Sequence, residues 1–349
     1  MPDNVRSYAV ANLAGDGIGP EVTAVARDLV DLAGKQHGFT IDWRHCPLGS
    51  DHYLRSGEVL PDEVLNDLRK TDAIFLGAVG SPSVPPGVLE RGLLLRLRFE
   101  LDLYINLRPA KQRPGVDAAG ADDLDFVVVR ENTEGLYAGA GGIVHRGTAF
   151  ETATEESLNT RAGVERCIRY AAALAAKRSG KLTLVHKTNV LTNAGSLWIR
   201  VAQEIAAEQG VQLDYCHVDA ACLYLVSDPG RFDVIVTDNL FGDILTDLAA
   251  ALTGGLGLSA SGNLNPDKTG PSMFEPVHGS APDIAGTGKA NPAGAVLSAA
   301  LMLDHLGEPA AAAELEAAVD GVLAAGGAAT TEGWAEALAA QLAHTEVAR

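Results

Sequence analysis

The chain has 349 residues, of which 47% are hydrophobic and 21% charged, as in a globular protein with enough chain for one large or two ordinary domains. A formal net charge of −18 argues against a surface that binds nucleic acid or an acidic membrane. No leader-like segment and no apolar run approaching ~20 residues is present, so we expect neither secretion nor membrane insertion. The cysteines form no Cys-x-x-Cys pair, so the sequence implies neither a disulfide framework nor a zinc site and fits a reducing cytoplasm: Cys46, Cys167, Cys216 and Cys222.

The first predicted strand, Tyr8 to Leu13, runs into the glycine-rich turn GDGIGP, and a helix follows with Pro20 at its first position. The glycines are spaced Gly-x-Gly-x-Gly. That spacing does not match the Gly-x-Gly-x-x-Gly fingerprint of a Rossmann fold, and no acidic residue ends a clear second strand about 20 residues later. The pattern therefore predicts a tight turn near a ligand.

A basic segment follows the next strand, Asp72 to Gly80. Between Glu90 and Arg113 there are six basic and three acidic residues, a local reversal of sign that favours an anionic ligand. On a helix, Leu94 and Leu95 share the face of Arg98, which would suit a substrate with an alkyl branch and an acid group. The alternative is an amphipathic helix with core leucines and salt-bridged arginines.

Two further buried strands, Asp125 to Arg130 and Lys181 to His186, each deliver a basic side chain at the carboxyl end. These are Arg130, followed by ENTEGLY, and Lys187. A lysine at a strand exit is often a surface residue, but among carboxylates and a metal it could serve in proton transfer. The segment from Gly139 to Thr154 predicts a hairpin or arm.

An acidic pair lies in the segment Phe232 to Gly255, which predicts a buried strand and then a helix. Asp243 and Asp247 are four apart at the head of that helix, so their carboxylates share one face ~5–6 Å apart. Mg²⁺ or Mn²⁺ would offset their repulsion far better than a helix N-terminus alone. An acidic first turn is common, but this pair follows a strand end, where open α/β sheets bind ligands.

The last informative segment, Ser272 to Pro292, is rich in glycine and proline and too long for an idle connection. His278 in it is a candidate ligand contact, although a loop histidine that bonds backbone is the commoner case.

Seven motifs together resemble those of the β-decarboxylating dehydrogenases, the group of 3-isopropylmalate, isocitrate, homoisocitrate, D-malate and tartrate dehydrogenases. The resemblance spans Gly15 to Pro292 in the same order. Within the group, ERGLLLRLRFELD and SMFEPVHGSAPDIAG most resemble 3-isopropylmalate dehydrogenases of the actinobacterial kind. The seven motifs are GDGIGPEV, NLRPAK, VVRENTEGLY, HKTNVL, VDAACLYLV, TDNLFGDILTDLAAAL and FEPVHGSAPDIAG.

This resemblance implies a two-domain α/β fold with parallel and mixed sheets flanked by helices, distinct from a Rossmann fold. Residues 1–103 with 254–349 would form a first domain that binds the adenosine of NAD. Residues 104–253 would form a second domain for metal, substrate and dimer contacts, with an arm near 139–155. The implied assembly is a homodimer with shared active sites.

The resemblance also assigns roles by motif position. Arg98, Arg108 and Arg130 would hold the malate carboxylates. Asp243 and Asp247, with Asp219 from the partner subunit, would bind Mg²⁺ or Mn²⁺, and Asp219 would also contact substrate. Tyr137, and Lys187 from the partner subunit, would transfer protons. The cofactor would be bound by His278, Gly279, Ser280, Ala281, Asp283, Ile284, Asn291 and, near the nicotinamide, Asn189.

The implied reaction removes the alcohol proton by way of Lys187 and Asp219 while hydride passes to the nicotinamide. Loss of CO₂ then leaves an enolate, which metal and lysine stabilise and Tyr137 protonates on carbon. In the matching motif, Asp283 sits by the adenosine ribose, where a carboxylate accepts a bond from a 2′-hydroxyl and repels a 2′-phosphate. NADP-dependent relatives carry lysine and tyrosine at Asp283 and Ile284, so we expect NAD.

The expected substrate is 3-isopropylmalate, oxidised and decarboxylated to 4-methyl-2-oxopentanoate in leucine biosynthesis. Isocitrate enzymes have serine and asparagine where this chain has Gly92 and Leu94. One departure from the family pattern leaves homoisocitrate, D-malate and tartrate as alternative substrates. The loop before Arg98 is one residue longer than in many isopropylmalate enzymes, so Arg91 falls where those enzymes have an acidic residue. A shift of Glu90 would compensate for this difference. Arg91 or Arg96 could instead meet a second acidic arm.

Two alternatives belong to other classes. A catalytically silent regulatory or binding paralogue would keep the fold but usually lacks metal or proton-transfer residues, all of which are present here. A metal-dependent phosphatase would use the aspartates but leaves the arginines and Lys187 without a role.

Overall fold

The computed structural model describes residues 5–116 and 124–347, with side chains to 343. Twelve strands are present in these residues: β1 (Arg6–Gly15), β2 (Phe39–His45), β3 (Ala73–Ala78), β4 (Ile105–Lys111), β5 (Asp125–Glu131), β6 (Gly141–Val144), β7 (Thr152–Glu155), β8 (Lys181–His186), β9 (Gln212–His217), β10 (Val234–Thr237), β11 (Ala260–Leu264) and β12 (Ser272–Pro276).

The same residues contain eleven α-helices: α1 (Gly19–His37), α2 (Ser50–Ser56), α3 (Asp62–Leu68), α4 (Arg96–Glu100), α5 (Arg161–Lys177), α6 (Thr192–Gln209), α7 (Val218–Ser227), α8 (Asn239–Leu252), α9 (Ala293–Leu306), α10 (Pro309–Ala324) and α11 (Thr331–Val347). A π-helical turn, Glu90–Leu95, leads directly into α4. None of the described helices is long and apolar enough to cross a membrane.

The chain forms two compact units. Of the described residues, the first unit contains 5–103, 112–116 and 250–347, and the second contains 104–111 and 124–249. In the first unit the strand order is β2-β1-β3-β12-β11, all neighbours being parallel except β11 and β12. In the second unit the order is β4-β5-β10-β8-β9, all parallel except β4 and β5.

The buried central strands explain this architecture. Every residue of β3, β10 and β12 is buried, and β3 and β10 are largely apolar runs of the kind that helices cover on both faces. Helix α9 is the most buried helix of the first unit, and α5 buries an alanine-rich stripe in the second. The prediction of an α/β protein with parallel and mixed sheets flanked by helices is confirmed.

Helix α8 begins four residues earlier than the sequence pattern indicates. Asp238 accepts a hydrogen bond from the Phe241 amide at 2.8 Å and so caps the helix, which starts at Asn239. Asp243 therefore lies a full turn inside the helix. The expectation that the acidic pair sits at the helix head was wrong, because the sequence period starts at Ile244 while the cap lies before it.

The segment around Leu94 also differs from a regular α-helix. Its π-helical turn makes i to i+5 hydrogen bonds, so positions three and four apart do not stack as they do in an α-helix. Leu93 and Leu97 are fully buried in a core cluster, and Leu94 packs partly buried against the same cluster. The expectation that Leu94 and Leu95 share one helix face with Arg98 is therefore met only in part.

Candidate active site

Arg130 is the fixed centre of the site in the second unit. It lies at the end of β5, and its side chain is only 1% exposed. Its Nε and Nη2 donate to Asn239 Oδ1 at 3.0 and 2.8 Å, and its Nη1 donates to Asp243. Asn239 in turn donates to the Glu134 carbonyl at 3.1 Å. This arrangement holds the planar guanidinium in one orientation, as recognition of a carboxylate requires.

Gly242 allows α8 to approach Arg130. A Cβ at this position would lie 2.4 Å from Arg130 Cγ and 2.8 Å from Cδ. Real Cβ atoms do not come that close, so any side chain at 242 would displace the arginine stem. The glycine of the TDNLFGD motif therefore has a steric role that the motif alone did not reveal.

The acidic pair on α8 has two distinct environments. Burial alone would raise the pKa of Asp243, but the Arg130 guanidinium and a hydrogen bond from Tyr137 outweigh it and lower that pKa. For Asp247, burial and the neighbouring charge of Asp243 both raise the pKa. Asp243 is thus readily ionised, whereas the negative charge of Asp247 is destabilised by its surroundings. A bound cation would stabilise that charge.

Tyr137 lies beside this pair. Its hydroxyl donates to Asp243 Oδ2 at 2.7 Å, and Arg130 Cζ lies 5.1 Å from its ring centroid. Burial and the hydrogen bond to Asp243 raise the pKa of Tyr137, so its proton is retained at neutral pH. Arg130, Tyr137 and Asp243 thus form one hydrogen-bonded cluster.

Lys187 and Asp219 form a second cluster in this unit. Lys187 follows β8 and donates through Nζ to Asp219 Oδ1 at 2.6 Å, in the first turn of α7. The hydrogen bond from Lys187 lowers the pKa of Asp219. Within the described residues of one chain, no three His, Cys, Asp or Glu side chains form a metal-binding group, so Asp219 does not join Asp243 and Asp247 there.

The other two arginines predicted to bind substrate, Arg98 and Arg108, each form a hydrogen bond with a residue of the unit to which they belong. In the first unit, Arg98 on α4 is 8% exposed and its Nη2 lies 3.5 Å from Glu275 Oε1. The same carboxylate accepts from Asn263 at 2.8 Å. In the second unit, Arg108 on β4 donates through Nε to Asn106 Oδ1 at 2.9 Å.

The two arginines considered for a second acidic arm differ in their contacts. Arg96 donates to the Leu60 carbonyl at 2.6 Å and forms an ion pair with Asp62, so it already has structural partners in the first unit. Arg91 is exposed at the π-helical turn. Glu90 accepts from the Gly87 amide at 2.9 Å and thereby closes the loop before the turn. These contacts weigh against Arg96 as a substrate ligand.

The predicted cofactor residues of the first unit lie in the loop between β12 and α9. His278 approaches the Gly279 carbonyl through Nδ1 at 3.0 Å, while its buried Nε2 has no hydrogen-bond partner among the described residues. Asp283 is exposed, and Ile284 is half-buried. Ala281 has a positive φ of 39°, which is uncommon for a residue with a side chain. At the end of the loop, the Asn291 side chain accepts from the Ala293 amide at 2.9 Å.

The GDGIGP turn packs directly against this loop. The Ile18 amide donates to the Ser280 carbonyl at 2.9 Å, and a Cβ at Gly17 would lie 1.9 Å from the same oxygen. Glu21 accepts from the Gly286 amide at 2.5 Å. The turn therefore supports the loop through its backbone. Asn189, the remaining predicted cofactor contact, is exposed in the second unit after β8.

The sequence analysis did not identify some residues that shape the site. Glu131 is buried and accepts from the Thr133 hydroxyl and the Thr133 and Glu134 amides, which shapes the turn leading to Tyr137. Asn239 orients Arg130. Their positions at the ends of β5 and β10 were the available signal, because polar residues at strand ends of an α/β sheet often border a ligand site.

Comparison with known proteins gives a consistent result. The chain matches the family model described as isocitrate/isopropylmalate dehydrogenase over residues 9–346. It is 58% identical over 322 residues to 3-isopropylmalate dehydrogenase of Thermobifida fusca, covering 90% of this chain and 91% of the relative. It is 59% identical over 319 residues to the enzyme of that name from Nocardia farcinica, covering 90% and 94%.

Solved structures agree. Isocitrate dehydrogenase from Methylococcus capsulatus is similar with a TM-score of 0.87 at 39% identity, covering 96% of this chain and 99% of the other. A beta-decarboxylating dehydrogenase from Thermococcus kodakarensis has a TM-score of 0.79 at 38% identity, covering 97% and 96%. The chain therefore belongs to the isocitrate/isopropylmalate dehydrogenase family.

Proposed function

We propose that this protein is an NAD-dependent enzyme that oxidises and decarboxylates 3-isopropylmalate to 4-methyl-2-oxopentanoate in leucine biosynthesis. The observation that supports this most is the hydrogen-bonded cluster of Arg130, Tyr137 and Asp243, whose members would serve as a carboxylate clamp, a proton donor and a metal ligand. The relatives named 3-isopropylmalate dehydrogenase at 58% and 59% identity support the choice of substrate. A cytoplasmic setting belongs to the proposal, since all four cysteines are free.

The donor set fits a divalent cation. Asp243 and Asp247 offer hard carboxylate oxygens one turn apart, and the raised pKa of Asp247 reflects a charge that a cation would stabilise. Asp219 from a second copy would complete the set of ligands. When bound, Mg²⁺ or Mn²⁺ supplies electrostatic stabilisation of negative charge on the substrate oxygens.

The chain's own residues would bind the substrate and move its protons. Arg130, with Arg108 and Arg98, would hold the carboxylates. Lys187 and Asp219, already joined by a hydrogen bond, would take up the alcohol proton during hydride transfer, with Lys187 passing one of its own protons to Asp219 as it accepts the proton of the alcohol. Tyr137, which keeps its proton because its pKa is raised, would give that proton to carbon after CO₂ leaves.

The cofactor loop fits NAD. The buried Nε2 of His278 has no partner among the described residues, so a ligand group can meet it, and exposed Asp283 would accept from a ribose 2′-hydroxyl. Gly279, Ser280, Ala281, Ile284 and Asn291 would line the adenosine, and Asn189 would lie near the nicotinamide. A 2′-phosphate would be repelled by Asp283, so we expect the specificity constant with NAD to exceed that with NADP.

A homodimer with shared sites would cover exposed apolar side chains of the second unit. Phe150 is 78% exposed on the β6–β7 hairpin, and Leu223 on α7 and Ile244 on α8 are 63% and 50% exposed. Exposed apolar side chains in such numbers favour association. A second copy of the chain would cover them and would bring Lys187 and Asp219 to the other copy's Arg130 cluster.

A substrate panel tests this proposal. Formation of NADH from NAD, or of NADPH from NADP, is measured with Mg²⁺ or Mn²⁺ for 3-isopropylmalate, isocitrate, homoisocitrate, D-malate and tartrate. We expect the highest kcat/KM for 3-isopropylmalate with NAD. A clear preference for another malate would contradict the substrate, a preference for NADP would contradict the cofactor, and no turnover of any malate would favour the silent paralogue.

A further inference from the structure

The residues proposed to accept the alcohol proton lie on two different elements. Lys187 follows the last residue of β8, and Asp219 lies in the first turn of α7, directly after β9. The strands are parallel neighbours, with His186 opposite His217. The relative position of Lys187 and Asp219 therefore depends on how firmly these two strand ends are joined.

The ion pair between them is too exposed to fix that position. The Lys187 side chain is 25% exposed and that of Asp219 is 69% exposed. Ion pairs in contact with water contribute little to order, because solvent screens the attraction and two flexible side chains must be held in one geometry. Another contact must hold the two segments in register.

The Tyr215 hydroxyl supplies such a contact. Tyr215 lies on β9, and its hydroxyl oxygen is 3.2 Å from the Thr188 amide, 2.9 Å from Thr188 Oγ1 and 3.2 Å from the His186 carbonyl. It also lies 2.8 Å from Nδ1 of His217, whose ring packs edge-on to the tyrosine ring. One oxygen thus joins the residues on both sides of Lys187 to the residue that precedes α7.

We propose that Tyr215 is a positioning residue that holds Lys187 against Asp219 by tying the 186–188 segment to the start of α7. The inference rests on the proposed function, in which Lys187 and Asp219 take the alcohol proton. Tyr215 is half-buried, and in this proposal it acts through the segment that carries Lys187. Loss of its hydroxyl leaves the Thr188 amide without this acceptor and frees the backbone that carries Lys187. A displacement of about 1 Å at a proton acceptor can slow a reaction on the order of a hundredfold.

The test compares Tyr215→Phe with a matched control, Tyr224→Phe, which removes a hydroxyl from α7 where the ring packs against Arg231. Both are assayed as the intact protein with NAD, metal and 3-isopropylmalate, after titration of the active fraction. We expect kcat of Tyr215→Phe to fall about tenfold while KM for 3-isopropylmalate stays within about twofold, since the arginines proposed to bind its carboxylates lie on other segments of the chain. The control should stay within about twofold in both constants.

Two further measurements separate positioning from loss of structure. The primary deuterium isotope effect on kcat, measured with substrate deuterated at the oxidised carbon, should equal or exceed that of the wild type, because the slowed step is the chemical one. Amide exchange at Thr188 should be faster in Tyr215→Phe and unchanged in the control.

A kcat within twofold of wild type, a loss explained by the inactive fraction, or a smaller isotope effect would each overturn the inference while leaving the proposed function intact. An inactive wild type would instead show that the proposed function itself is wrong and would overturn both.

Discussion

At the scale of residues, the orientation of Arg130 depends on contacts that surround it on α8. Asn239 accepts from two of its nitrogens, and Gly242 leaves room for its stem. A guanidinium that is 1% exposed and bonded along both edges cannot readily change rotamer. The guanidinium that we propose as the substrate clamp is thus held in one orientation by the side chains of the protein itself.

Gly242→Ala tests this account. The new methyl group would lie within 3 Å of three atoms of the Arg130 stem, so the arginine must shift, and we expect kcat/KM for the malate to fall about a hundredfold. Gly230→Ala is the control, since nothing lies within 4 Å of the corresponding Cβ. Steady-state NADH formation checks both. Equal activity of the two variants would show that Arg130 does not need its observed position.

Residue roles were predicted from the sequence wherever a motif carried the chemistry itself. Arg130, Tyr137 and Asp243 were identified and do form one cluster. Asn239 and Gly242 were not assigned roles, because their contribution is to hold another side chain, and such contacts depend on the distance between β5 and α8. A single sequence contains no measure of that distance.

At the scale of elements, Asp238 determines where α8 begins. It caps the helix by accepting from the Phe241 amide. Asp238→Ala removes the acceptor, and we expect it to lower the free energy of unfolding by about 1 kcal/mol. Asp238→Asn keeps a capping oxygen and should lose much less. Thermal unfolding of the two variants checks this, and equal losses would show that the carboxylate acts through charge instead of the cap.

The pH dependence of stability can be tested at the contact between α9 and β12. Burial and the charge of Lys268 lower the pKa of His305 from 6.5 to about 4, and its ring packs 5.5 Å from that of Phe274. The folded chain therefore keeps this histidine neutral. As pH falls from about 6.5 towards 4, the unfolded chain takes up a proton that the folded chain does not, so stability falls in that window.

We expect His305→Gln to remove part of this dependence. Between pH 7 and pH 5, the wild type should lose about 1 kcal/mol more unfolding free energy than the variant, a figure reduced for the partial exposure of the ring. Urea unfolding at both pH values measures the difference. His45→Gln, at an exposed position, is the control and should show the wild-type dependence. The same dependence in His305→Gln would contradict the assignment.

Elements with strong patterns were predicted well, and those with unusual backbone were not. The apolar runs of β5 and β8 were located to within one residue at each end. The π-helical turn before α4 was expected to be an ordinary α-helix, because the spacing of its leucines is compatible with both kinds of helix. The choice between the two depends on packing of Leu93 and Leu97 into the core, which local sequence does not specify.

At the scale of the whole molecule, the second unit contains two separate halves of the proposed chemistry. Arg130, Tyr137 and Asp243 form one half, and Lys187 with Asp219 forms the other. In one chain the described residues bring no three potential metal ligands together. We propose that each active site takes Lys187 and Asp219 from the other copy of the chain. The exposed apolar side chains on the β6–β7 hairpin, α7 and α8 would form the interface between the two copies.

Complementation between inactive variants tests this directly. Lys187→Ala and Asp243→Asn should each be inactive alone. After the two are mixed in equal amounts, unfolded and refolded, about half of the dimers are mixed and each has one intact site, so about a quarter of wild-type NADH formation should return. A matched mixture of Lys187→Ala with Asp219→Asn, which damages the same half, should recover nothing. No recovery in the first mixture, or equal recovery in both, would contradict shared active sites.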